Sequence, residues 1–303
     1  FPFKFNAAPG ASHRTVVAGY EAWHACGVTR TALVTGAARG IGAAVARRLA
    51  RDGCAVVALD RCDDDPELAY ALSTRAELDV VVADCGDRAV AAVADVADRE
   101  TLSEVLDQAR SELADGGEPV AAFDVVVCAA GVVWGGAPLW ETAPGAWDAV
   151  MKTNVEGVFN TAAVTIPGML GAATSGGVGV GPHAGGRFVA IASAAAGRGL
   201  PLMGAYAASK AAVESMVRSM AADLADAGVT VNAVSPGSTE TSILAASADV
   251  YGLSSPGEFA RHHTNRRLLD PAEVADAIAW LCSDEASAVT GSVFAVDGGM
   301  TAT

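Results

Sequence analysis

TGAARGIG, residues Thr35 to Gly42, closes one apolar run (Thr31 to Gly36) and opens a segment in which Ile41, Val45 and Leu49 recur every four residues. Strand, glycine-rich turn and helix therefore follow one another without a gap. Gly36, Gly40 and Gly42 permit a tight turn and a close backbone approach, with Arg39 and Ile41 between them. The first turn of the helix then offers unpaired N–H groups and a positive dipole end to a pyrophosphate. Asp60 ends the next apolar run, 24 residues past Gly36, where a carboxylate accepts hydrogen bonds from ribose hydroxyls. That carboxylate repels a 2′-phosphate and favours NAD over NADP, while Arg61 directly after it pulls the other way.

Outward from this turn the same rhythm continues. Further strands are expected at Cys54 to Asp60, Ala89 to Val96, Phe123 to Gly131, Arg187 to Ser193, Val229 to Gly237 and Ser292 to Gly299. These runs are apolar throughout, as in strands covered on both faces. Thr74 with Glu77, and Asp270 with Glu273 behind Pro271, read as capping boxes that start helices. The expected fold is α/β: a single-domain, Rossmann-like, doubly wound parallel sheet of about seven strands with helices on both faces. Residues 29–303 form that domain, and residues 1–28 are an amino-terminal extension with no readable role.

Two segments break the rhythm. Gly171 to Gly186 is glycine-rich and reads as a surface loop. Arg61 to Ser73 (RCDDDPELAYALS) delays the helix that should follow the second strand, and does so beside the expected ligand edge.

Composition mainly excludes. Lys and Arg number 20 against 35 Asp and Glu, a formal net charge of −15, which is the wrong sign for nucleic acid. With 51% hydrophobic and 18% charged residues the chain can bury a core and is not a disordered acidic polymer. No run reaches the ~18 uncharged apolar residues of a membrane span. The first 27 residues lack the charged and apolar regions of a signal peptide, so a cytoplasmic location is expected. The 6 cysteines contain no CxxC pair and read as reduced thiols; His262 and His263 lack a third ligand, so no metal is expected.

The chemistry is expected in four residues. Tyr206 and Lys210 lie one helical turn apart, Ser193 stands at the end of the fifth strand, and Asn154 sits on the helical segment before it. Oxidising an alcohol requires a base for the hydroxyl proton, and a tyrosinate serves only if its pKa falls from ~10 toward neutrality. An ammonium one turn away and a positive nicotinamide ring would lower it. Ser193 would hydrogen-bond the substrate oxygen.

Together with TGAARGIG, the spacing of 13 from Ser193 to Tyr206, the YAASK sequence, Pro236-Gly237 and the terminal VDGG, these residues make the chain resemble the short-chain dehydrogenase/reductase family from Arg30 to Thr303. The resemblance implies Ser193, Tyr206 and Lys210 as catalytic residues, with Asn154 supporting a proton-relay water near Lys210. It implies that Asp95 and Val96 flank the adenine, that Ala129, Ala130 and Gly131 run beside the cofactor, and that Pro236, Gly237, Ser238, Thr239 and Thr241 meet the nicotinamide amide. One departure stands out: the family's usual Asn-Asn-Ala-Gly is Cys128-Ala129-Ala130-Gly131 here, so side-chain amides that would brace the sheet are missing. The Arg61 to Ser73 segment and several later stretches, among them SAAAGRGLPLMGAYAASKAAV, further resemble the mycofactocin-coupled subfamily. That resemblance implies an NAD that does not exchange, reoxidised by mycofactocin as external acceptor; the wider family resemblance implies a homotetramer.

Trp134, Leu139, Trp140, Met203, Tyr251 and Phe259 are expected to wall a pocket for a hydrophobic alcohol or ketone, with Ile243 to Arg266 as a mobile lid. Two rival functions share the cofactor turn. A freely exchanging NAD(P)-dependent reductase of 3-oxoacyl thioesters would meet an acidic carrier protein, which the acidic surface opposes. A non-catalytic NAD-binding regulator would have no need of Ser193, Tyr206 and Lys210 together.

Overall fold

The computed structural model describes residues 30–113, 120–174 and 185–302. The amino-terminal extension, Cys26 and most of the glycine-rich loop lie outside the described residues.

Seven parallel strands run β1 (Thr31–Thr35), β2 (Ala55–Asp60), β3 (Ala89–Val93), β4 (Val125–Cys128), β5 (Arg187–Ile191), β6 (Thr230–Pro236) and β7 (Val293–Val296), in the order β3-β2-β1-β4-β5-β6-β7. Each is shorter than its apolar run; β2 loses only Cys54 at its start, and in the others residues at the carboxyl end leave the sheet for the ligand edge. The five inner strands are buried along their whole length, whereas β3 and β7 are edges.

Alternate residues feed two cores. Val34, Val56 and Val127 face α1 (Gly40–Arg51), α2 (Arg75–Cys85) and α8 (Pro271–Leu281), meeting Val45, Leu49, Leu78 and Ile278. Leu33, Val57, Val126 and Phe188 face the opposite layer of α3 (Arg99–Glu112), α5 (Gly157–Thr174) and α6 (Gly204–Asp223), meeting Leu102, Leu106, Val158 and Val213. Both capping boxes form, at Thr74–Glu77 and Asp270–Glu273. Strand order reverses between β1 and β4, so the crevice of a doubly wound sheet opens above Gly36 on one side and Ala129 to Gly131 on the other.

Three expectations change. Helix α5 runs to Thr174, so the segment starting at Gly171 is helical at first. Ser193 stands two residues beyond β5, as the N-cap of a short 3₁₀ turn. The segment expected as a lid is largely helical, with α7 (Ser242–Val250) followed by a 3₁₀ turn from Pro256 to His262. Helix α4 (Pro144–Met151) passes into a π-helical turn, Lys152–Glu156, that carries Asn154. Among the described residues, no helix is long and apolar enough to cross a membrane.

Candidate functional site

A cavity of about 650 Å³ runs along the carboxyl edge of the sheet, within the size range of ligand pockets. Gly36, Arg39, Gly40, Ile41, Gly42, Asp60, Arg61, Asp95 and Val96 line one end. Ala129, Ala130, Gly131, Ser193, Tyr206 and Lys210 line the middle, with Pro236, Gly237, Ser238, Thr239 and Thr241 across from them. The structure thus brings together every expected site residue except Asn154, which is fully buried behind the wall.

The glycines have physical reasons. Gly36 has φ 65°, and a Cβ there would sit 2.6 Å from the Ala130 backbone; on Gly42 it would sit against the Gly36 carbonyl. The two loops of the crevice can close on each other only without side chains. Arg39, the N-cap of α1, makes no side-chain cap, and no acidic residue occupies the first turn. The leading N–H groups of α1 therefore stay available to an anion at the cavity, which fits a pyrophosphate.

Asp60 is nearly saturated. Its Oδ2 accepts the Ala38 N–H (3.0 Å), and its Oδ1 accepts the Cys62 N–H (3.3 Å) and the Ser73 hydroxyl. Two lone-pair sites per oxygen leave one on Oδ2 for a ribose hydroxyl. Arg61 reaches both Asp65 and Asp95 at 3.3 Å, so its charge is balanced by carboxylates and the ribose end is acidic on balance, which disfavours a 2′-phosphate.

At the centre, Lys210 Nζ donates to the Ile191 carbonyl (2.8 Å) and lies 5.9 Å from the centroid of the Tyr206 ring. Burial pulls the Lys210 pKa down to about 8. Burial pushes the Tyr206 phenol up, and the Ser193 hydroxyl draws it partly back. In the protein alone desolvation outweighs the Ser193 hydrogen bond, and the nicotinamide charge that is part of the expected lowering comes only with the cofactor. Asn154 Oδ1 accepts the Val132 N–H (2.8 Å), while its Nδ2 donates to the Val132 carbonyl and to Ser209 Oγ (both 2.9 Å). A Cβ on Gly131 would lie 3.3 Å from Lys210 Nζ and 3.4 Å from Asn154 Oδ1, so Gly131 is wedged between the two.

The absent amides at Cys128 and Ala129 are replaced by other braces. Thr35 accepts the Ala129 N–H through its carbonyl and the Ala130 N–H through its hydroxyl (both 3.2 Å). With Asn154 fixing Val132, the backbone is held at residues 129, 130 and 132. Nothing in the sequence around Thr35 signals this role.

The segment after β2 is a strap fixed at both ends. Near the ribose end Ser73 bonds Asp60, and Arg39 Nη2 donates to the Ala71 carbonyl (3.0 Å). At the far end the Tyr70 hydroxyl accepts the Val133 N–H (2.9 Å). Leu68 packs with Val132, Val150 and Ala205, beside Tyr70, Leu72 and Trp134. The Glu67 carboxylate lies over the N-terminus of α4, 2.5 Å from where a Gly145 Cβ would be, a helix end without a side-chain cap that favours negative charge.

Of the expected pocket aromatics and aliphatics, Met203, Tyr251 and Phe259 line the cavity. Trp134 instead packs under the strap. Leu139 and Trp140 lie on a 3₁₀ turn facing solvent, with Trp140 83% exposed, because the chain after β4 passes beyond the cavity before α4 begins. Two contributors were not anticipated. Ser73 polarises Asp60, and buried His263 accepts the Ser238 N–H at Nε2 (2.9 Å), fixing the Pro236–Thr241 segment.

The comparisons agree with this geometry. A family model described as enoyl-(acyl carrier protein) reductase matches residues 36–301. The chain is 37% identical over 274 residues to a cis-4-hydroxycyclohexanecarboxylate dehydrogenase of Sinomonas cyclohexanicum, covering 90% of this chain and 97% of that protein. It is 35% identical over 275 residues to an A-factor type γ-butyrolactone 1′-reductase (1S-forming) of Streptomyces virginiae, covering 90% and 95%. Among solved structures, carveol dehydrogenase from Mycobacterium avium in complex with NAD superposes with a TM-score of 0.80 at 28% identity, covering 90% of this chain and 98% of that one.

Proposed function

The chain belongs to the short-chain dehydrogenase/reductase family, and we propose that within it this NAD-dependent oxidoreductase of alcohols and ketones keeps its cofactor between turnovers. The observation that carries this reading is the strap: residues 61–73 are fastened to Asp60 and Arg39 on one side and to Val133, Val132 and α4 on the other. Arg61, Asp63, Leu72 and Ser73 of the strap line the cavity, so those contacts would hinder a nucleotide lying along that edge from leaving. Reducing equivalents then pass to an external acceptor, with mycofactocin as the acceptor to which the strap and its flanking sequence point.

Bound NAD would supply the hydride acceptor for oxidation or the hydride donor for reduction. The chain's residues do the rest. The leading N–H groups of α1 hold the pyrophosphate, and the remaining Oδ2 lone pair of Asp60 accepts from the ribose. Tyr206 Oη takes the substrate's hydroxyl proton during oxidation and returns it during reduction, while Ser193 Oγ donates to the substrate oxygen. Lys210, held by Ile191, keeps an ammonium beside Tyr206 and favours the tyrosinate. Asn154 is a positioning residue that keeps the 131–133 backbone and Ser209 in place.

The test is turnover by purified protein without added nucleotide. Oxidation of a hydrophobic secondary alcohol with an artificial electron-accepting dye, and none with free NAD⁺ as sole acceptor, supports retention. Rapid multiple turnover with free NAD⁺ alone overturns it and leaves an ordinary exchanging enzyme.

A further inference from the structure

We propose that the substrate is an anionic alcohol, an apolar body bearing a carboxylate that Arg198 and Arg261 receive at the cavity rim, with His262 as a third donor. The inference rests on the alcohol-oxidoreductase reading and adds the substrate's charge to it.

All three acidic residues that line the cavity, Asp60, Asp63 and Asp95, stand at the ribose end, together with Arg39 and Arg61. At the other end the chain leaves β5 through Ser193 and reaches the rim at Arg198. There Tyr251 donates to the Pro201 carbonyl (2.7 Å), the Tyr251 and Phe259 rings meet edge-on at 6.1 Å, and Phe259 stands 6.4 Å from His262. This continuous wall is apolar in its middle and basic at its outer edge.

Arg198, Arg261 and His262 all line the cavity, and both guanidinium groups are among the charges that, after burial, lower the His262 pKa. Arg198 is held by a neutral acceptor, the Met300 carbonyl (2.6 Å). Arg261 lies 3.4 Å from His262 through Nε, and its Nη1 makes a long, solvent-exposed ion pair with Glu258 at 3.9 Å. Grouping positive charge is unfavourable, and in a chain with 35 acidic residues it invites neutralisation. A bound carboxylate relieves that repulsion, and the guanidinium fork matches its two oxygens.

The test pairs 4-hydroxycyclohexanecarboxylate with its primary amide as substrates of the holoenzyme, in the dye-coupled assay. We expect kcat/KM to favour the acid by about 10-fold, as for charge-assisted hydrogen bonds at a part-solvated site. The difference should sit mainly in KM and shrink with added salt. In R198Q/R261Q the acid-to-amide ratio should fall to within about 3-fold of unity. A wild-type ratio at or below one, or a ratio that survives the double substitution, overturns the proposal.

Binding separates this inference from the reading beneath it. Thermal shift of the holoenzyme with cyclohexanecarboxylate and with cyclohexanecarboxamide needs no turnover. Preferential stabilisation by the acid, lost in R198Q/R261Q, upholds the anion site even if neither alcohol is oxidised, which would count against the alcohol reading alone. Turnover of alcohols with no preference for the acid in either assay overturns the anion site alone.

Discussion

Replacing Lys210 by Met should stabilise the nucleotide-free protein at neutral pH and abolish its chemistry. Lys210 is 5% exposed, and its pKa falls from 10.5 to about 8 because burial penalises the ammonium. At about 1.4 kcal/mol for each tenfold change in proton affinity, holding that charge inside costs about 3 kcal/mol at pH 7. Losing the bond to the Ile191 carbonyl removes about 1 kcal/mol of the gain, so K210M should be more stable by about 2 kcal/mol. The pH dependence is sharper than the absolute value. Between pH 8 and 10.5 the unfolded chain holds the lysine proton more tightly than the folded one, so wild-type stability rises with pH across that window. K210M carries no such proton, and its advantage should shrink by about 2 kcal/mol between pH 7 and pH 9.5. Urea unfolding of both proteins, stripped of nucleotide, measures the gap at each pH. A gap constant to within about 0.5 kcal/mol, or one that widens with pH, refutes the claim that the ammonium is held against a desolvation penalty.

Tyr206→Phe should keep its nucleotide and lose at least about 100-fold in kcat, the scale of general acid–base catalysis; a fully active variant removes Tyr206 from the mechanism. Tyr70→Phe leaves the Val133 N–H, on a residue only 2% exposed, without its acceptor. It should lower stability by about 1–3 kcal/mol and speed nucleotide loss during dialysis, read by mass spectrometry of the retained protein. His263 has its pKa lowered, first by burial, and its Nε2 accepts from the Ser238 N–H only while neutral. Its stabilising contribution is present above about pH 6.5 and is lost as pH falls below that value, while the unfolded chain takes up the proton first. Thermal melts from pH 7 to 5 should drop more steeply for wild type than for His263→Gln; equal slopes would show that His263 does not titrate on unfolding.

The parts legible in sequence are those set by neighbours along the chain. Apolar runs buried on both faces announced β1, β2, β4, β5 and β6, and the two capping boxes fixed the starts of α2 and α8 because their hydrogen bonds close within three residues. The cofactor turn was readable because strand, glycines and helix are contiguous. What escaped was set by contacts between distant segments. Tyr70 meets Val133, and Thr35 braces Ala130, across separations that no local pattern encodes. Trp134, Leu139 and Trp140 looked like pocket walls because they follow a strand end, but the chain there turns under the strap and out to solvent. The upward push of burial on the Tyr206 phenol in the protein alone also escaped, because depth of burial is set by distant segments.

Isotope exchange tests the retained cofactor most directly. Holoenzyme, substrate alcohol and dye are mixed with a molar excess of labelled NAD⁺, and the protein-bound nucleotide is recovered after a counted number of turnovers. The strap predicts that bound nucleotide stays unlabelled through at least about a hundred dye-coupled turnovers. Label entering the protein at the rate of turnover would contradict it.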